Sequence, residues 1–293
     1  MSELDKKVVS HRTQGKVTGI PGIKNIIAIV SGKGGVGKST VAVNLALAVQ
    51  QLGFKVGLLD ADIYGPSLPS MLGTKRTVAH VNEEKIQPIT AFGMPIVSMG
   101  YLVEEDSAMI WRGPMVSQAL QQLLFQTAWP ELDYLIIDLP PGTGDIQLTL
   151  AQKIPVSGAV VVTTPQDVAL LDVRKAYHML RKVNITVLGV IENMSTHICS
   201  QCGHQEAIFG EGGGARLAKQ YDVSLLAQLP LSLKIRVDLD NGTPTVALDP
   251  HDPISVLYIQ AAERMLAQLA LQPKDFSKHF TNIVVESNND NKK

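Results

Sequence analysis

Residues Gly32-Lys33-Gly34-Gly35-Val36-Gly37-Lys38-Ser39-Thr40 satisfy the pattern G-x-x-x-x-G-K-S/T. These residue types at this spacing make a cradle for phosphate. Glycines let the backbone turn tightly enough to aim successive N–H groups at phosphate oxygens. A helix starting at the end of the loop adds partial positive charge. Lys38 is expected to neutralise β- and γ-phosphates, Ser39 to bind Mg2+, and Thr40 to reach the α-phosphate. Acids complete such a site. Tyr134-Leu-Ile-Ile-Asp138 is an apolar run ending in a carboxylate suited to the Mg2+ shell. No glutamate follows within residues 139–145 (LPPGTGD), so the water-orienting group must come from elsewhere. Asp60 and Asp62 end another apolar run and offer two carboxylates on the γ-phosphate side. Strand-end capping is the competing reading of Asp60, Asp62 and Asp145.

The second constellation is Cys199-Ser-Gln-Cys202. Two thiolates at this spacing chelate one metal or two irons, but a tetrahedral zinc site or a 4Fe–4S cluster takes four ligands. Three other readings compete with a cluster site. One is zinc shared between two chains. Another is a tight Cys2His2 site completed by His197 and His204. The third is a dithiol redox site, although the usual strand–CxxC–helix setting is missing.

Both constellations need elements to hold them. Asn25–Ser31 reads as a buried parallel strand, the loop follows, and Lys38–Leu52 has helical apolar spacing ended by Gly53. Further strands are expected at Lys55–Asp60, Pro95–Met99, Tyr134–Asp138, Gly158–Thr163, Thr186–Ile191 and Val223–Leu229. Helices are expected at Met115–Gln126, Asp167–Arg181, Ala215–Tyr221 and Pro253–Leu271. This alternation predicts an α/β fold, a single P-loop NTPase domain with a mainly parallel sheet flanked by helices on both faces. The expected division is a short N-terminal extension over 1–24, the P-loop domain over 25–271, and a C-terminal tail over 272–293 whose end is disordered. Residues 1–24 read as a solvated arm with room for one short strand within Val8–Val17. Residues 63–94 read as an excursion with a small hairpin, and 194–214 as a long functional or disordered loop carrying the cysteines.

Composition narrows the class. The 293 residues are 45% hydrophobic and 18% charged, enough for a sizeable core. Lys+Arg 26 against Asp+Glu 27 leaves a net charge of −1, which argues against a nucleic-acid-coating protein. The stretch 113–130, which no uncharged run exceeds in length, contains four glutamines and makes a poor membrane span. Two cysteines make no disulfide scaffold, and the start (MSELDKK) has no apolar signal-peptide region. The expected setting is cytoplasmic, with no membrane or nucleic-acid partner.

Lys33, after the first loop glycine, gives the loop the form G-K-G-G-x-G-K-S-T, which resembles the deviant Walker A of the MinD/ParA/nitrogenase-iron-protein group. Within that group, Ser31–Thr40, Leu59–Pro66, Trp111–Pro114, Asp138–Leu148, Glu192–Ser195 and Cys199–Cys202 stand in the order found in the Mrp/ApbC iron–sulfur cluster carrier ATPases. The resemblance covers roughly residues 20–270. It implies a head-to-head homodimer sandwiching two ATP molecules, with Lys33 reaching the partner's nucleotide. It implies that Asp62 is the switch I aspartate orienting the attacking water, that 138–145 is switch II, and that Asn193 hydrogen-bonds the adenine edge. It also implies a cluster bridging Cys199 and Cys202 of both subunits, either 4Fe–4S or 2Fe–2S, delivered by a cluster donor and passed to apo iron–sulfur target proteins. A two-fold axis supplies the four thiolates that one chain lacks. Many bacterial members carry an additional small N-terminal domain, where only about 24 residues are expected here. No physical role is assigned to Trp111–Pro114. The alternative function is a MinD/ParA-like positioning ATPase with a zinc-stapled dimer.

Overall fold

The computed structural model describes residues 8–275 except 15, 16, 18, 76, 78–80, 83, 84 and 102–112. The Trp111-Arg112 part of the family-typical motif and the end of the tail lie outside the described residues.

Apolar β-branched runs form the strands β1 (Ile23–Ser31), β2 (Val56–Asp60), β6 (Met94–Ser98), β7 (Leu132–Asp138), β8 (Gly158–Thr163), β9 (Val187–Glu192) and β12 (Leu225–Gln228). Together with β5 (Ile89–Ala91) they make a sheet in the order β12-β9-β8-β1-β7-β2-β6-β5. All neighbours are parallel except β5, which pairs antiparallel with β6 at one edge. Two small hairpins stand apart: β3 (Val81–Asn82) with β4 (Lys85–Ile86), and β10 (His197–Ile198) with β11 (Gln205–Glu206).

Side chains alternate across the sheet, as the strand period of two requires. Ile27, Ile29, Ile136 and Val160 face one core, which is closed by α1 (Lys38–Gln51) and α9 (Pro253–Ala270). Ala28, Val30, Ile137 and Val161 face the other. That second core is closed by α3 (Gly113–Phe125), α4 (Asp145–Lys153), α5 (Asp167–Lys182) and α6 (Gly213–Tyr221). Burial on both faces explains why the strands read as near-continuous apolar runs. Three short helices, α2 (Leu68–Met71), α7 (Leu233–Asp240) and α8 (Thr245–Leu248), and a 3-10 turn at Met99–Tyr101 complete the described elements.

Two expectations need correction. The N-terminal arm is docked rather than solvated: His11, Gln14 and Ile20 are buried. His11 receives only an isolated bridge from Lys274, not a strand. The His11 backbone N–H donates to Asn25 Oδ1 at 3.0 Å, and its ring nitrogen Nδ1 lies 2.9 Å from the same oxygen. Gln14 bonds the main chain at Ala151, Ile154 and Val156. Nor is the segment after Glu192 a free loop. Residues 195–198 continue past β9 alongside 229–231, with His197 bridged in parallel to Leu231.

Candidate functional site

The phosphate loop leaves β1, a strand with neighbours on both sides, and runs into α1 at Lys38. Its shape depends on two glycines. Gly32 lies so close to α5 that a Cβ there would stand 2.3 Å from the Asp172 carbonyl carbon. Gly37 has φ +79°, and a Cβ would come within 2.2 Å of Asn193 Nδ2. Any other residue at these positions would push the loop out of place. Gly34 and Gly35 are exposed, Lys33 is half-buried at the mouth, and Ser39 and Thr40 sit half-buried at the helix start. Val36 is buried.

Lys38 and Asp138 form a buried ion pair of 2.5 Å. The register puts Asp60 beside Asp138 on adjacent strands. Asp138 Oδ2 is buried with no hydrogen-bond partner. An orphaned carboxylate oxygen is costly unless a donor or cation meets it. With the Ser39 hydroxyl close by at the start of α1, the donor set is the hard oxygen pair that Mg2+ favours. The residues present therefore fit the Mg2+ implied above.

Asp60 and Asp62 have separate duties. Asp60 is fully buried. Its Oδ1 accepts from the Asp62 N–H at 3.1 Å, and its Oδ2 accepts from the N–H groups of Ser67 and Leu68 and from the Ser98 hydroxyl. Burial first, and then the neighbouring Asp138 charge, push its carboxyl up to about 7, against the pull of the Leu68 and Asp62 N–H groups and Lys38. Asp60 thus staples the 60–68 turn. Asp62 remains half-buried with its own carboxyl raised by burial and held back by Lys38. Only Asp62 of the two carboxylates is available to a ligand. Ser98 shows no motif in the sequence; its role emerges only from the pairing of β2 with β6.

Asn193 lies against the loop. Its Nδ2 donates to the Val36 carbonyl at 2.9 Å and its backbone N–H to Thr163 O at 2.7 Å. A cavity of about 730 Å³ opens between Gly37, Thr40, Asn193 and α7, with Ile235 and Pro66 on its walls. This space lies directly beside the phosphate loop.

Cys199 and Cys202 are free thiols, the first half-buried and the second exposed. They sit at the tip of the β10–β11 hairpin, closed by Cys199 N–H to His204 O and Gly203 N–H to Cys199 O, both 2.9 Å. The Cys199 sulfur accepts from the N–H groups of Gln201 and Cys202 and from the Cys202 side chain, which hold its thiol below the usual range. A lowered thiol is a ready metal ligand. Among the described residues no three His, Cys, Asp or Glu side chains gather into a metal-binding group, so His197 and His204 do not complete the pair. Among these residues, too, no helix is long and apolar enough to cross a membrane.

The chain is 57% identical over 262 residues to the iron-sulfur cluster carrier protein of Pseudomonas fragi, covering 89% of this chain and 91% of that one. It is 58% identical over 255 residues to the protein of the same name from Escherichia coli K12, covering 87% and 69%. It is 44% identical over 272 residues to the mouse iron-sulfur cluster transfer protein NUBPL, covering 90% and 85%. Among solved structures, a nucleotide-binding protein from Archaeoglobus fulgidus in complex with ADP superposes with TM-score 0.68 at 36% identity, covering 80% and 91%. The Pyrococcus furiosus cell division ATPase MinD superposes with TM-score 0.60 at 22% identity, covering 83% and 98%, and shows the shared fold. Residues 22–266 match the family described as ParA: NUBPL iron-transfer P-loop NTPase. The chain therefore belongs to that family, the Mrp/ApbC/NUBPL branch of the ParA-type P-loop NTPases.

Proposed function

We propose that the protein is an ATP-hydrolysing iron–sulfur cluster carrier that works as a homodimer. Cys199 and Cys202 of two copies hold the cluster as cargo and release it to apoproteins. The observation that carries this reading is the half-complete ligand set. The hairpin presents two free thiols, one of them held below the usual thiol range by N–H and side-chain donors, and no third ligand joins them among the described residues. Half a tetrahedral set on an exposed tip suits a site closed by a second copy and opened again for transfer.

At the phosphate loop, Lys38 is poised between Asp138 and the loop. On nucleotide binding it would exchange its carboxylate partner for phosphate oxygens. Asp138 and Ser39 would hold Mg2+, which supplies charge neutralisation at the β- and γ-phosphates. Asp62 would orient the attacking water, and Lys33 would add positive charge from across the dimer, as an arginine finger does.

The test is iron, sulfide and zinc content with the visible spectrum, on anaerobically reconstituted protein. About four irons and four sulfides per dimer are expected. The double variant Cys199→Ala/Cys202→Ala should lose both and keep ATP turnover. Lys38→Ala should lose turnover and keep iron and sulfide. Zinc without iron in the wild type would make the hairpin a structural clasp and overturn the carrier reading.

A further inference from the structure

Asn44 is out of character with its helix. From Val41 to Val49 α1 is buried and apolar except for this amide, which is fully buried. Asparagine is a weak helix former, and its amide is costly to bury unless bonded. Both halves of the amide are used. Nδ2 donates to Thr40 O at 3.0 Å, one turn back toward the phosphate loop. Oδ1 accepts from the Val246 N–H at 3.2 Å, from a residue 202 positions away. Val246 lies in the first turn of α8, where N–H groups have no partner within the helix. The residue before α8, Pro244, offers no side-chain cap, so Asn44 caps α8 from another helix.

The bonds continue from there. Thr245, fully buried, donates its hydroxyl to Asp238 Oδ2 at 2.9 Å, and its carbonyl accepts from the Ser255 hydroxyl at 3.2 Å. Asp238, on α7, is also buried and receives Lys234 Nζ at 2.8 Å. The Thr243 N–H donates to Asp238 O at 3.0 Å. Thr40, Asn44, α8 and α7 are thus joined by one buried polar strut.

Both ends of the strut stand on the cavity of about 730 Å³ beside the phosphate loop. Ile235, Arg236 and Leu239 of α7 form one wall, Gly37 and Thr40 the loop side, and Ser70 the α2 side. Just beyond α7 two glycine backbones meet. A Cβ on Gly242 would stand 2.5 Å from Gly73 Cα, and both residues have positive φ, +71° and +66°. This contact holds the end of α7 against the loop after α2, and the strut holds its inner side. The wall cannot drift from Thr40 without breaking a buried hydrogen bond.

We propose that Asn44 and Thr245 are positioning residues for nucleotide. They fix the distance between the phosphate loop and α7, so that the cavity accepts the nucleoside half of ATP or ADP without first reorganising. This rests on the nucleotide reading proposed above and adds to it a role for two buried residues outside the phosphate-loop motif.

The experiment uses the full-length protein without iron. It is titrated calorimetrically with Mg-ADP and with Mg-pyrophosphate, which carries the phosphate chain and no nucleoside. Asn44→Ala removes the amide. Thr245→Val removes the hydroxyl and keeps the branched shape, and Thr245→Ser keeps the hydroxyl. In Asn44→Ala and Thr245→Val, ADP affinity should fall about tenfold while pyrophosphate affinity stays within about twofold of wild type. Thr245→Ser should hold ADP affinity within about threefold. In ATP turnover the first two variants should raise KM with little change in kcat. If Asn44→Ala does not fold, the Thr245 pair decides. Parallel loss of ADP and pyrophosphate would make the strut a support of the whole fold and overturn the proposal. Unchanged ADP affinity in Thr245→Val, equal losses in Thr245→Val and Thr245→Ser, or a lowered kcat at constant KM would overturn it too. In each of these cases wild-type ADP binding leaves the nucleotide reading standing. If the wild type does not bind ADP, that reading falls and the positioning role with it.

Discussion

Asp60 carries the clearest pH signature in the molecule. Its folded-state carboxyl sits near 7 against an ordinary 3.8, chiefly because it is buried and then because Asp138 is beside it. A raised acid holds its proton in the folded state where the unfolded chain has given it up. Stability is therefore fully present below about pH 4 and is lost as pH rises through about 7. Other carboxylates add their own slopes, so the test is a comparison. Urea midpoints for Asp60→Asn should fall less between about pH 5 and pH 7.5 than those of the wild type. An equal fall in both would show that Asp60 does not hold the proton. Four donors converge on this one side chain, and two of them, the N–H groups of Ser67 and Leu68, lie beyond the turn from Asp62. The variant should therefore also weaken the placement of Asp62 and slow ATP turnover.

Among elements, α4 depends on a residue far away in sequence. It begins at Asp145, where the segment that runs on from β7 ends. Its last carbonyls have no partner within the helix. Gln14 supplies one: its Nε2 donates to the carbonyls of Ala151, at 2.6 Å, and Ile154, while its Oε1 accepts from Val156 N–H at 3.0 Å. Gln14→Ala should cost about 1–3 kcal/mol, the penalty of leaving such groups buried and unpaired. Hydrogen exchange should quicken at 151–156 more than in β1 or α1; uniform quickening would mean that Gln14 serves the whole fold instead. This contact also shows where sequence reading stops. Hydropathy finds strands such as Gly158–Thr163 to the residue, because a strand buried on both faces must be apolar throughout. It reads a polar arm as solvated, because His11 and Gln14 are buried through hydrogen bonds to partners brought near only by folding. Leu233–Asp240 (LKIRVDLD) misleads in another way, since its apolar residues fall at every second position, the strand signature. It is helical because Ser232 caps it and Lys234–Asp238 and Arg236–Asp240 pair one turn apart. Ile235 and Leu239, also four apart, are the ones buried. The phosphate loop and the cysteine pair were legible because their chemistry is local. The Asp60 staple and the ladder under the cysteines were not, since each joins strands distant in sequence.

At the scale of the whole molecule, the strand order places the loop at β1, between the two halves of the sheet. The β2 side carries Asp62, and the β9–β12 side carries Asn193 and the cysteine hairpin. Asp62 and the cysteine hairpin thus stand on opposite sides of the phosphate loop in the strand order. Lys33 stands half-buried at the mouth of the loop. If it serves a partner's nucleotide, Lys33→Ala should bind ATP with near-normal affinity yet hydrolyse it at least about tenfold more slowly. The wild-type specific rate should rise with protein concentration, and the variant's should not. Equal turnover in the two proteins would remove the cross-dimer role.

The docking of residues 10–12 against 273–275 has a consequence for synthesis. Arg12 N–H bonds Pro273 O, and Asp275 N–H bonds Ser10 O, both at 2.9 Å. Residues 10–12 thus complete these contacts only with a segment made about 260 residues later. At about 5–20 residues per second, the arm waits some tens of seconds before that clasp can close. Until residues 273–275 emerge, the sheet and the loop can assemble while residues 10–12 remain unjoined. A nascent chain halted before Pro273 should therefore carry a folded nucleotide-binding core with a protease-sensitive arm, and emergence of residues 273–275 should protect it.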